Sequence, residues 1–141
     1  MFYEQRLSVP DGPEALRNEY DTDLAAVVET AGIERAERET SVDRDRLEAL
    51  LEGASPSLSL AEASELLALE GDQPDAETIR IEACEHLLLG MSTAVLDVET
   101  LAAELELELD PKEIQQKLER RSPTTFDEFV RIQHAVASRA P

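Results

Sequence analysis

Tryptophan is absent from this sequence, and two tyrosines and three phenylalanines hold the aromatic content to 4%. A core built with so few rings must be filled by Leu, Ile, Val and Ala, which favours packed helices over a β-sandwich. Lysine is nearly missing as well: of 13 basic residues, only Lys112 and Lys117 are lysines. The single cysteine, Cys84, excludes an intramolecular disulfide and a thiolate zinc cluster. Five scattered glycines form no phosphate-binding loop. The longest apolar stretch, Leu87-Leu88-Leu89-Gly90-Met91, is far short of a membrane span. The opening Met1-Phe2-Tyr3-Glu4-Gln5-Arg6 lacks the apolar run of a signal peptide, so a cytoplasmic protein with no membrane partner is expected.

Catalytic and metal-binding patterns are scarce too. His86 and His134 are the only histidines, and Cys84 and His86 lie about 200° apart around a predicted helix, unable to share a metal. Asp43/Asp45 and Asp72/Asp75 lack the glycine and terminal glutamate of a calcium loop. Ser41, Ser64 and Ser92 have no context resembling a nucleophile elbow or triad. No cofactor, metal or small-molecule substrate is expected, and the chain reads as a protein without enzymatic activity.

What is present in excess is negative charge. Asp and Glu number 32 against the 13 basic residues, giving a net charge of -19 on 141 residues. At modest ionic strength such a surface repels itself. In molar salt the Debye length falls to about 3 Å, and the carboxylates then serve chiefly to keep the surface hydrated. A hydrophobic content of 42% separates the chain from disordered acidic tails, and its length suits one domain or two small units sharing a core.

Apolar spacing predicts an all-α bundle of about eight helices. Residues 1–12 read as an arm, with Tyr3, Leu7 and Val9 in a short extended piece before the Pro10-Asp11-Gly12-Pro13 turn. Residues 13–71 form a first unit. Its first helix opens at Pro13 and closes at Gly32, with a break expected near Asp21-Thr22-Asp23. Residues 72–96 form a separate central helix, the most apolar one, in which Gly90 marks either close packing or a break. Residues 97–141 form a second unit.

The second unit repeats the first. Val98, Leu101 and Leu105 match Ile33, Ala36 and Thr40; Asp110, Ile114 and Leu118 match Asp43, Leu47 and Leu51. Ser122-Pro123 answers Ser55-Pro56, and the capping box Thr125/Glu128 answers Ser59/Glu62. Caps, turn, loop and core positions recurring in one order indicate an internal duplication.

Each copy reads as short helix, turn, second helix, loop and capped helix. That order resembles helices two to four of the Cro and phage-repressor class of helix-turn-helix domains. In the first copy the resemblance rests on Thr40-Ser41-Val42-Asp43, Leu47, Leu50-Leu51, Gly53 and Ser57-Leu58-Ser59-Leu60. In the second it rests on Asp110, Ile114, Leu118 and Ser122-Pro123-Thr124-Thr125-Phe126. Glu37 stands where such domains carry a small residue, Ser41 replaces the turn glycine, and the turn Glu106-Leu107-Glu108-Leu109 is longer than theirs. The chain also looks like a small uncharacterised family of acidic proteins from halophilic archaea, on Leu87-Leu88-Leu89-Gly90-Met91-Ser92-Thr93-Ala94-Val95-Leu96-Asp97 and Glu113-Ile114-Gln115-Gln116-Lys117. No known activity comes with that likeness.

The resemblance implies DNA binding, and charge selects the second copy for it. The first offers Arg44, Asp45, Arg46, Glu48 and Glu52, mostly carboxylates. The second crowds Lys112, Gln115, Gln116, Lys117, Arg120 and Arg121 onto one helix and its end. Amides can pair with adenine and cations can meet guanine or phosphate. Residues 1–109 carry 7 basic and 27 acidic groups, whereas residues 110–141 carry 6 and 5. The expectation is a DNA-associated regulator using these six residues. Its alternative is an adaptor that docks a protein through the same helix or through the N-terminal arm.

Overall fold

A computed structural model describes residues 1–139, and among them eight α-helices and no strand are found. They are α1 (Pro13–Ala31), α2 (Ile33–Glu39), α3 (Arg44–Leu51), α4 (Leu60–Leu67), α5 (Ala76–Thr93), α6 (Val98–Glu104), α7 (Pro111–Leu118) and α8 (Phe126–Ser138). The all-helical bundle expected from composition is therefore what the chain forms. No single helix among the described residues is long and apolar enough to cross a membrane.

Side-chain caps set most of the helix starts. Asp43, Ser59, Asp75, Asp97, Asp110 and Thr125 each accept a hydrogen bond from the backbone N–H three residues on. At Ser59, Asp110 and Thr125 the glutamate at that third position reaches back to close a capping box. Such caps satisfy N–H groups that the helix itself leaves orphaned. The expected break near Asp21-Thr22-Asp23 does not occur. Asp21 turns inward, where the Arg17 guanidinium Nε donates to it at 2.8 Å, so a polar triplet that reads as a turn is held within one helix. Gly90 likewise breaks nothing: a Cβ there would lie 2.8 Å from Val136 Cγ1, so its bareness lets α5 pack against α8.

The fold divides into halves of four helices, and α5 is not a separate central element. It stands in the second half as α1 stands in the first. A constant offset of 63 residues pairs Leu16 with Ile79, Arg17 with Arg80, Asp21 with Cys84, Leu24 with Leu87 and Val28 with Met91. Packing is reciprocal: α1 and α5 lie against their own α4 and α8, while α4 touches α5 and α8 touches α1. At the centre an antiparallel bridge joins Ser59 to Thr125. Leu60 N–H donates to Thr124 O at 2.9 Å, and Phe126 N–H to Leu58 O at 2.8 Å. Matched residues exchange matched bonds, the signature of a local twofold axis.

The N-terminal segment is not an arm. Phe2 is only 2% exposed and meets Phe126, Phe129 and Tyr20 at centroid separations of 5.1, 5.9 and 6.1 Å. With Tyr3 beside Phe2, all five aromatic residues form one cluster. Gln133 Nε2 donates to Phe2 O, and both histidines clasp the segment, His86 Nδ1 to Tyr3 O at 2.6 Å and His134 Nε2 to Pro10 O at 2.8 Å. A scarce set of rings is thus spent sealing the chain start into the core.

Candidate nucleic-acid interface

The candidate helix α7 begins at Pro111, whose fixed φ and missing N–H suit a first helical position. Ile114 and Leu118 are buried and anchor it to α6 and α5. This anchoring turns Lys112, Glu113 and Glu119 outward, with Gln115, Gln116 and Lys117 half-buried on the flanks. The helix ends in a left-handed residue, Arg120, with φ 62°.

The six residues expected to form the surface do not share one fate. Lys117 turns back into the fold with 11% of its side chain exposed. Its Nζ donates to Pro123 O at 2.6 Å and lies 3.0 Å from Glu128 Oε1. Gln115 Nε2 donates to Glu119 Oε2 at 2.7 Å, and Arg121 Nε lies 3.7 Å from the same carboxylate. Lys112 and Arg120 are the only two of the 13 basic residues without an ion pair among the described residues. Gln116 also makes no side-chain hydrogen bond there. With Lys117 drawn inward, the exposed charges from Asp110 to Arg121 are Lys112, Arg120 and Arg121 against Asp110, Glu113 and Glu119. The face presented to solvent is neutral, not cationic.

The first half makes the same internal contact from a different position. Arg46 of α3 forks onto Glu62 at 2.7 and 2.8 Å and donates to Ser57 O at 2.9 Å. Glu62 and Glu128 are the capping-box glutamates, and Ser57 and Pro123 each stand two residues before a cap. One cation per half therefore ties the third helix to the start of the fourth. The Arg46 hydrogen bond is the largest of the influences that hold the Glu62 carboxyl below its ordinary pKa.

Two features escaped the reading of the sequence. Val95, at φ 52°, follows α5 where Gly32, at φ 90°, follows α1. It is 92% exposed and shares a shallow surface depression with Leu88, while Leu89 on the same helix is half-exposed. Arg120 likewise takes the place of Gly53, at φ 84°. Extending the repeat upstream by one helix would have exposed the Val95 substitution and the Arg17/Arg80 match, whereas Arg120 already falls opposite Gly53 between Leu51/Leu118 and Ser55/Ser122.

Among the described residues no three His, Cys, Asp or Glu side chains are grouped to hold a metal ion. Burial raises the Cys84 thiol pKa, which Arg120 and then Arg80 oppose. No curated protein and no solved structure matches this chain. The model of a family of unknown function, DUF5791, does match it over residues 16–139, and the chain belongs to that family.

Proposed function

We propose that the protein is a non-enzymatic interaction module that docks another protein through the end of α5. The observation that carries this reading is Val95: a β-branched residue, 92% exposed, at a positive φ of 52° where the first half has a glycine at φ 90°. Such a conformation costs a β-branched residue about 1–3 kcal/mol. Exposure returns none of it within the monomer. The same end of the helix carries Leu88 and Leu89 where the first half has Ala25 and Ala26, and no charged side chain occurs from His86 to Leu96. Apolar bulk has been placed where the matching surface is small.

The partner is a protein with an apolar anchor and a basic rim. The seat between Leu88, Met91, Val95 and Leu96 is bordered by Asp97, with exposed Glu85 and Glu99 on the flanking stretches of α5 and α6, in a chain of net charge -19. Opposite charge steers such an encounter, while the apolar centre supplies affinity. The test places a photo-crosslinking residue at position 89 in cells and repeats the capture with Val95→Gly. One dominant crosslinked protein with a basic contact segment, lost in Val95→Gly, is expected. Capture that Val95→Gly leaves unchanged would refute this face.

The nucleic-acid reading retains one specific support, exposed Lys112 and Arg120 without an ion pair and half-buried Gln116 without a side-chain hydrogen bond among the described residues, on or beside a single helix. Retention on DNA in molar KCl, abolished by nuclease and by Lys112→Ala with Gln116→Ala, would favour it over docking. Counterion release contributes little at that salt, so retention would have to come from contacts to bases.

A further inference from the structure

In the first half Arg17 lies among its own acceptors. It donates to Asp21 Oδ1 at 2.8 Å and to Pro56 O at 2.6 Å, and Arg17 and Asp21 are both buried. At the matching positions of the second half stand Arg80 and Cys84. A buried thiol replaces the buried carboxylate, and Arg80 is left with exposed Glu77, on its own helix, at 3.0 Å. Between α5, the start of α4 and the Ser122–Thr124 loop there is a cavity of about 180 Å³, room for about six waters at about 30 Å³ each.

Arg80 and Lys117 line this cavity, and no carboxylate does. That is unusual in a chain with 32 acidic residues, and the matching cleft of the first half has Glu14, Glu62 and Asp127 in its walls. Two more observations point the same way. Ser122 and Thr124 line the space, and neither hydroxyl makes a hydrogen bond among the described residues. Lys117 uses two of its three donors, on Pro123 O and Glu128, leaving one. Beyond the wall, Arg120 has no ion pair and acts together with Arg80 on the Cys84 thiol. The nearby carboxylates, Glu77, Glu85 and Glu128, lie outside the lining.

We propose that this cavity binds the phosphate group, as inorganic phosphate or at the end of a phosphate monoester, its charge standing where Asp21 stands in the first half. Arg80 would give the oriented fork, Lys117 its remaining N–H, and Ser122 and Thr124 their hydroxyls. This site is independent of the docking face.

The test titrates the full chain with inorganic phosphate and, separately, with glycerol phosphate, at ionic strength fixed by KCl, following backbone amide resonances. Saturable shifts confined to Arg80, Cys84, Lys117, Ser122 and Thr124 are expected. Tighter binding of one titrant identifies the source. Cys84→Asp restores the arrangement of the first half and should weaken binding by at least about tenfold by supplying the charge internally. Arg80→Gln should weaken it comparably, and because Arg80 is partly exposed this variant keeps its fold should Cys84→Asp lose it. Shifts no larger than those from added KCl would overturn the proposal, as would phosphate affinity that Arg80→Gln leaves intact.

Discussion

Lys112 and Lys117 sit on one helix and carry the same charge, yet only Lys117 reaches a carbonyl and a carboxylate, at 2.6 and 3.0 Å. Removing this side chain, which is 11% exposed, takes the side-chain donor from Pro123 O and the cation from Glu128, which keeps only the Thr125 N–H. For Lys117→Ala we therefore expect a loss of about 1–2 kcal/mol in urea unfolding. Lys112→Ala should stay within about 0.5 kcal/mol, as for most exposed positions. Equal effects would mean that Lys117 is a surface residue after all. The sequence places both lysines on α7, and periodicity alone counts both as surface. Which one folds inward depends on where the Ser122–Thr124 loop leaves its carbonyl, a tertiary fact with no local pattern.

At the scale of elements, the helix starts were legible because capping is local chemistry. Ser59/Glu62 and Thr125/Glu128 can be read directly and are found as read. The helix end at Gly32 was legible too, but the ends without a glycine were not. Arg120 holds a left-handed conformation that Gly53 adopts in the first half, and a side chain there carries a steric cost. Arg120→Gly should raise stability by about 1 kcal/mol in phosphate-free buffer, read as a higher urea midpoint with unchanged slope. The equivalence of α5 with α1 was missed for a related reason. Every buried position of α5 matches a buried position of α1, but Tyr20/Ala83 and Asp21/Cys84 differ in chemistry, so the likeness lies in spacing rather than identity.

The tie between α3 and α4 has its own signature. Arg46 depresses the pKa of Glu62, so this pair stabilises the fold fully above the unfolded glutamate's 4.5. That stability is lost as pH falls through the lower folded value. Acid unfolding of Glu62→Gln should therefore be flatter below pH 4.5, as followed by circular dichroism against pH. An unchanged acid limb would show that the fork does not persist in solution.

For the whole molecule, the decisive quantity is how 32 carboxylates coexist with 13 cations. Most of the ion pairs lie at the surface, where each contributes about 0–1 kcal/mol, and salt weakens them. If they dominated, salt would destabilise the protein. Against them stands the mutual repulsion of a net charge of -19 on a chain of 15.6 kDa, which has no compensating partner and acts over the full Debye length. That length falls from about 10 Å at 0.1 M to about 3 Å at 1 M, so screening removes more repulsion than attraction. The long-range term should win. Between 0.1 and 2 M KCl the melting temperature should rise by about 10 °C or more, and tetramethylammonium chloride should serve nearly as well as KCl, because screening depends on charge rather than on cation identity. A melting temperature that falls with salt would show the paired network, not the unpaired carboxylates, to be the governing electrostatic feature. A rise confined to KCl would instead require specific cation sites on the carboxylate surface.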